Sequence, residues 1–251
     1  MKKLLWKNIW QAVAAVTFLI GVWFLAYFMV GNELLVPAFS DSLKEVGGLF
    51  KSGGFWQGFA MSLLRSLWAF ALSFVAAVIF AVIAYLYRSF AAFLAPVVSA
   101  LRSLPVMAVL LILLSFLGAA SAPVAVAFLS LFPMLYAGVL AGLSSVDKRL
   151  IEVSLTQGTP LWRRVSAIYL PLSAPYILKE AGAALSFSVK LVVSAEILAN
   201  TASSLGGMMQ EAKVYAEIPQ LFALVGVAFV AGLVMELLVG LLAEWVEKRV
   251  R

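Results

Sequence analysis

Residues 152–171 read Glu152-Val153-Ser154-Leu155-Thr156-Gln157-Gly158, then nine residues, then Ile168-Tyr169-Leu170-Pro171. The stretch is polar and helix-prone, and it lies between strongly apolar segments. Asp147 is placed to cap a helix running through Gln157, because its carboxylate accepts from the free amides at a helix start. Gly158 suits the left-handed residue that ends such a helix. Thr159 is the expected N-cap of a second helix, with Pro160 at the first position, where a missing N–H costs nothing. That second helix is expected to end before Pro171. Within it, Leu161, Val165 and Ile168 fall at helical spacing, with Trp162 and Tyr169 alongside and Arg163 and Arg164 off the stripe. It is roughly 15 Å long at about 1.5 Å per residue and too short to be stable alone in water. It must pack on the rest of the protein, on a partner groove, or on both. A DNA-binding helix–turn–helix is disfavoured, since the second helix carries only two basic residues and the loop is tethered between spans.

Composition sets the solvent. Of 251 residues, 64% are hydrophobic and 12% charged, and the mean hydropathy is +1.06. Soluble domains carry roughly 25% charged residues, so the bilayer is the expected surroundings. Cys and His are both absent. That removes thiol nucleophiles, disulfides, thiolate zinc sites and imidazole acid–base chemistry. The acidic residues are scattered, and neither a metal site nor a catalytic constellation emerges. The net charge of +6 does not point to nucleic acid, because the basic residues cluster at the ends of apolar segments.

A helical span needs about 20 mostly apolar residues. Six segments qualify: about 9–30, 58–86, 94–117, 122–143, 176–199 and 219–243. The first begins Met1-Lys2-Lys3, but its apolar run is longer than a signal-peptide core and no small-x-small site follows, so it reads as an uncleaved anchor. One side collects Lys2, Lys3, Lys7, Arg88, Lys148, Arg149, Arg163, Arg164, Lys179, Lys248, Arg249 and Arg251, and the other Lys44, Lys51 and Lys213. The richer side is expected to be cytoplasmic, with both termini and the 144–175 loop. Trp6, Trp10, Trp56, Tyr85, Tyr87 and Trp245 suit interfacial belts. The mixed segment 31–57 reads as an external loop with a short surface helix around 40–50. No linker or repeat marks a second domain, so residues 1–251 read as one all-α integral membrane domain.

Ionisable residues inside a span are costly and are functional candidates by default. Lys190 lies near the middle of the fifth segment and Glu196 nearer its outer end. Their six-residue separation puts them on different helix faces, so each needs a partner elsewhere. Lys190 is either a cationic element of a translocation path or a structural partner of Glu236, Glu196 or backbone carbonyls. Glu196 either lines the path, snorkels outward, or holds the external Leu205-Gly206-Gly207 loop. Arg65 and Arg102 lie toward span ends, within reach of the interface by snorkelling, and a structural role is the favoured reading for both. Gly138 and Gly142 form a GxxxG suited to close helix packing.

The 152–171 stretch resembles the EAA loop of bacterial ABC-importer permeases: Glu152, Gly158, Ile168, Leu170 and Pro171 fall at the family's intervals, with Val153 and Ser154 in place of its two alanines. Other marks are similar to the nitrate/sulfonate/taurine branch. They are Ser62-Leu63-Leu64-Arg65, Leu101-Arg102-Ser103-Leu104-Pro105, Phe132-Pro133, Ser194-Ala195-Glu196-Ile197 and Leu205-Gly206-Gly207-Met208. The likeness covers about 58–246. It implies a type I importer-permease fold with a cytoplasmic coupling helix, in a bacterial or archaeal cytoplasmic membrane. It implies docking of ABC ATPase subunits through Glu152, Gly158, Thr159, Pro160, Leu161, Trp162, Arg163, Arg164, Val165, Ile168 and Pro171. A second permease copy or paralogue and a periplasmic or lipoprotein substrate-binding protein are the other implied partners. The implied substrate is a small anion such as a sulfonate, nitrate or bicarbonate; vitamin precursors and an ion-coupled secondary transporter are the alternatives. No cofactor is expected on this chain. Its only Lys followed by Ser or Thr is Lys51-Ser52, preceded by Phe50 and not by the glycine of a P-loop, so ATP belongs to a partner subunit.

Overall fold

A computed structural model describes the backbone of residues 2–250, and every element in it is helical. The side chains of residues 1–13, 15, 16, 148 and 246–251 lie outside those described. The belt residues Trp6 and Trp10 and the basic residues Lys2, Lys3, Lys7, Lys148, Lys248, Arg249 and Arg251 are among them. The elements are α1 (Lys2–Val30), α2 (Phe39–Leu49), α3 (Gly53–Leu86), α4 (Arg88–Ser103), α5 (Val106–Ser144), α6 (Lys148–Thr156), α7 (Leu161–Arg164), α8 (Leu170–Ala199), α9 (Leu205–Val214) and α10 (Ile218–Val250).

Among the described residues, four helices are long and apolar enough to cross a membrane: Gly53–Leu86, Val106–Ser144, Leu161–Ala199 and Ile218–Trp245. Thr17–Val30 is a shorter apolar stretch inside α1. The expected segment 94–117 is not one continuous helix. α4 stops at Ser103, Leu104 (φ −68°, ψ 130°) and Pro105 are extended, and α5 starts at Val106. The proline ring disfavours helical geometry in the residue before it, which puts the break at Leu104.

α5 is itself folded back. Gly118 has φ 71° and ψ 173°, a conformation that no helix contains. Arg102 Nη2 donates to the Pro133 carbonyl at 3.0 Å. In a straight rod, residues 106 and 133 would be about 40 Å apart, so the chain must reverse between them. Leu110, Ala122 and Val126 accordingly share one buried cluster. Residues 88–117 thus form one broken arm and 119–144 the other, joined at Gly118.

The bundle is packed through small residues. On α3, Gly58, Ser62, Ser66, Ala69, Ser73, Ala77, Ala81 and Ala84 are buried at three- and four-residue intervals, while Leu64, Leu67, Trp68, Leu72, Val75 and Ile79 are exposed. This inside-out pattern is expected in lipid, where large apolar side chains gain nothing by leaving the solvent and small ones let backbones approach. The GxxxG pair works the same way within the chain. A Cβ on Gly138 would lie 3.2 Å from Glu180 Cβ and Cγ, and one on Gly142 would lie 3.1 Å from Ile177 and Tyr176. α8 therefore lies close along α5 on one side and packs against α10 on the other. It is the central helix: 61% of its most apolar window is buried, against 22–28% for the other three candidate spans.

The segment expected as an external loop does contain a surface helix, α2. Leu49 at its end packs with Phe55, Val189, Val193, Leu205, Met209 and Leu224, which closes one end of the bundle.

Candidate functional site

Two regions carry the expected site residues, at opposite ends of α8. The first is the 144–175 loop. Asp147 caps α6 as expected, its Oδ1 accepting from Arg149 N at 2.9 Å. Gly158 ends the turn with φ 65°, the left-handed conformation expected there. The second helix departs from expectation at both ends. Thr159 does not cap it. Pro160, extended at ψ 149°, occupies the N-cap position, and its carbonyl accepts from Arg163 N and Arg164 N. Nor does the helix stop before Pro171. Val165–Tyr169 forms a single π turn that runs directly into α8, with Leu170 N donating to Val165 O. A proline inside an α-helix clashes with the carbonyl four residues back; the wider π turn ahead of Pro171 relieves that clash, so the helix continues.

The loop divides its apolar residues between two surfaces. Ile151, Val165 and Ile168 pack against the main buried cluster, and Ser154 is buried with its hydroxyl on the Ile151 carbonyl at 2.7 Å. Leu161 and Trp162 face out, Trp162 at 65% exposure, and so do Leu150, Val153 and Leu155. Glu152, Gln157 and Arg163 are also exposed. Arg163 holds its guanidinium 5.1 Å from the Trp162 ring centre. Arg164 turns partly inward, and its Nε is buried without a hydrogen-bond partner. Exposed aromatic and aliphatic side chains on a polar loop mark an interaction surface. Tyr169, at the π turn, meets Tyr85 edge-on at 5.2 Å, joining the loop to the end of α3.

The second region is a buried polar clasp at the far end of α8. Glu196 is wholly buried. Its Oε1 accepts from Arg65 Nη1 at 2.9 Å, and its Oε2 accepts from Ser62 Oγ at 2.6 Å and Gly206 N at 3.3 Å. Ser62 Oγ in turn accepts from Leu205 N at 2.9 Å. Gly206 has no alternative residue: a Cβ there would run into Glu196 Cβ and lie 2.6 Å from the Val193 carbonyl. At Gly207 a Cβ would strike the Thr201 carbonyl. Three motifs, Ser62–Arg65 and, more than a hundred residues later, the neighbouring Ser194–Ile197 and Leu205–Met208, thus meet in one network that ties α9 onto α3 and α8. Thr201 Oγ1 adds a bond to the Ala119 carbonyl at 2.8 Å, next to the Gly118 turn.

These contacts choose among the expected alternatives for Arg65 and Glu196. Arg65 does not snorkel; its side chain is 12% exposed and points into the bundle to pair with Glu196. Glu196 faces inward and holds the α9 turn, so it lines no open surface here: a carboxylate in a span is tolerated where it is paired and hydrogen-bonded. Lys190 behaves differently. It is exposed, with no ion pair or hydrogen bond among the described residues, and it shares a stripe along α8 with Tyr176, Ala183, Phe187, Ser194 and Leu198. Neither Glu196 nor Glu236 is its partner. The Arg65–Glu196 pairing was not foreseen; the available signal was an unpaired acid and an unpaired base in separate apolar segments.

Comparison with known proteins places this arrangement. Residues 73–251 match the family model described as binding-protein-dependent transport system inner membrane component, well over half of the chain. The chain belongs to this family. Family membership makes it a permease component of an ABC importer, a membrane transport subunit and not an enzyme. It is 28% identical over 234 residues to a probable ABC transporter permease protein of Brucella abortus (strain 2308), covering 91% of this chain and 92% of that one. A probable ABC transporter permease protein of Brucella melitensis biotype 1 is also 28% identical, over 218 residues, covering 86% and 87%. Among solved structures, an amino acid ABC transporter crystallised with histidines superposes with a TM-score of 0.65 at 17% identity, over 81% of this chain and 96% of that one. A bacterial alginate ABC transporter in complex with an alginate-pentasaccharide-bound periplasmic protein gives 0.66 at 15% identity, over 93% and 95%. The MetNI methionine ABC transporter in an inward-facing form gives 0.55 at 22%, over 78% and 94%. At these identities the likeness is one of fold.

Proposed function

We propose that this permease carries a small anionic solute across a bacterial or archaeal cytoplasmic membrane. It does so as one of two permease subunits, above ABC ATPases that dock on the 144–175 loop. The observation that carries the reading is the outward-facing Leu161–Trp162 pair on a short helix continuous with central span α8. An ATPase groove that covers Trp162 would grip the end of the helix that reaches the clasp. Glu152, Gly158, Thr159, Pro160, Arg163, Arg164, Val165, Ile168 and Pro171 belong to the same docking unit. Some serve by contact, and others, such as Val165 and Ile168, serve by anchoring the unit to the bundle.

Six crossings and cytoplasmic termini fit this reading. Support comes from the Gly118 reversal, which makes 88–117 and 119–144 two arms, and from the Thr201–Ala119 bond, which puts that turn beside the α8–α9 junction. With α1, α3, α8 and α10 this gives six passes, and the basic residues then fall on the docking side. A solute delivered by an external binding protein would enter at the clasp end. Exposed, unpaired Lys190 on α8 supports an anionic group on the solute, of the sulfonate, nitrate or bicarbonate class, and the branch marks at Ser62–Arg65 and Glu196 lean the same way. Lys190 then lines the path, and Glu196 keeps the outer turn in place.

The test is co-purification with candidate ATPase subunits. Wild type should capture an ATPase. Gly158→Pro, which removes the left-handed turn residue, and Glu152→Lys, which reverses a surface charge, should lose it while inserting normally. Equal capture by both variants would refute the docking assignment.

A further inference from the structure

A cavity of about 560 Å³ opens between the folded α4–α5 arms and α8, within the size range of small-molecule sites. Two charged side chains line it, Arg102 from the end of α4 and Glu180 from α8. Arg102 uses Nη2 on the Pro133 carbonyl, leaving the rest of its five-donor fork free. Glu180 makes no hydrogen bond or ion pair among the described residues, and no ion pair joins it to Arg102. Its Cβ–Cγ stem packs closely on Gly138, 3.2 Å from where a Cβ at that position would lie. On the same α8 face, Tyr176 and Phe187 also line the cavity and are 42% and 40% exposed. One pole therefore offers a guanidinium fork suited to a carboxylate or sulfonate. The other offers a carboxylate beside two aromatic faces, which suits an ammonium.

We infer that this cavity receives a small zwitterion during translocation, its anionic group on Arg102 and its ammonium on Glu180 between Tyr176 and Phe187. The inference rests on the permease reading and narrows its substrate: a sulfonate or carboxylate can also carry an ammonium, whereas nitrate and bicarbonate cannot and would leave half-buried Glu180 without a counter-charge in the same cavity.

The chain contains no cysteine, so Ala137→Cys in the cavity lining, with Ser130→Cys as a second reporter, gives a unique label site. The permease is assembled with its ATPases and binding protein in proteoliposomes and labelled with a neutral methanethiosulfonate. Taurine and glycine betaine are compared with isethionate and choline, which each lack one of the two charges. A zwitterion should slow labelling saturably, reaching about fivefold at roughly four times its Kd, the factor 1 + [L]/Kd. Isethionate and choline should not, and Arg102→Gln or Glu180→Gln should abolish the protection while ATPase capture is kept. Four results overturn the inference: isethionate protecting as well as taurine, protection surviving either substitution, none of the probes protecting, or both cysteines being unreactive because a second copy fills the cavity. Failure of the wild-type chain to capture an ATPase would instead count against the permease reading.

Discussion

The Arg65–Glu196 pair is the point at which this structure predicts the largest non-additive effect. Glu196 has no exposed surface and Arg65 has 12%, so solvent screens neither well. Removing one partner strands the other charge. Arg65→Met leaves the carboxylate held only by Ser62 Oγ and Gly206 N, and Glu196→Met leaves the guanidinium facing the bundle. Breaking a buried pair from one side costs about 3–5 kcal/mol. Replacing both members with apolar side chains of similar size is often neutral, although here it also releases the Gly206 amide, at about 1–3 kcal/mol for a buried donor without a partner. The double variant is therefore expected to be destabilised by about 1–3 kcal/mol, far less than the sum of the singles. The coupling between the two residues should be at least about 3 kcal/mol, at or above the upper end of the usual range. Denaturant titration of the purified chain in mixed micelles, read by tryptophan fluorescence, provides the four free energies. Should the double variant match the sum of the singles to within about 0.5 kcal/mol, the two residues act independently and the clasp is not an ion-pair device.

Three further outcomes follow from local geometry. Gly206→Ala should abolish stable insertion or cost at least as much as an overpacked core substitution, about 1–3 kcal/mol, whereas Gly47→Ala, in open space on α2, should leave the melting temperature unchanged or slightly raised. Gly118→Ala must adopt φ near 71° and should destabilise the α5 reversal by about 1–3 kcal/mol, read as faster proteolysis at the turn in proteoliposomes. Trp162→Glu should reduce ATPase capture at least tenfold, the effect of losing about 1.4 kcal/mol of binding, with no change in helical content by circular dichroism; retained capture would move the docking surface elsewhere on the loop.

The lengths and hydropathy of α3, α8 and α10 were legible in the sequence because a long apolar run has few other solutions. The α6 cap and the Gly158 turn were legible because their chemistry is local. Breaks inside apolar runs were read less well. Pro105 signalled one, but hydropathy outweighed it, and 94–117 read as a single span. Gly118 gives no distinct signal in the sequence, since glycine is common in membrane helices, and the reversal shows only in three dimensions, in the Gly118 dihedrals, the Arg102–Pro133 bond and the shared Leu110–Ala122–Val126 cluster. Pro171 was read as a stop because an α-helix does not accommodate it; a π turn does, and nothing local announces a π turn. The clasp was half legible. Each ionised residue was known to need a partner, but residues 131 positions apart cannot be paired from one sequence.

The continuity of α7, the π turn and α8 bears most directly on mechanism. Had the loop helix ended before Pro171, a flexible joint would separate the docking surface from the bundle, and movement at Trp162 would dissipate there. The chain instead runs as helix from Leu161 to Ala199, close to 60 Å at about 1.5 Å per residue. The exposed Leu161–Trp162 pair lies at one end and Glu196 at the other. Between them the same helix carries Glu180, packed against Gly138, and Lys190 on its open face. A rotation imposed at the docking end would therefore sweep both charges across the same stripe, while the Glu196 clasp and the Ser62–Leu205 bond oblige α9 to follow. π turns recur at functional sites in long helices, and this one lies where α8 leaves the loop, braced by Tyr85 against Tyr169. Coupling through such a rod predicts that loosening the clasp leaves ATPase capture intact but uncouples ATP hydrolysis from uptake, whereas damage at Trp162 abolishes both together. An Arg65→Met transporter that still matched uptake to hydrolysis would show that α8 does not transmit the stroke.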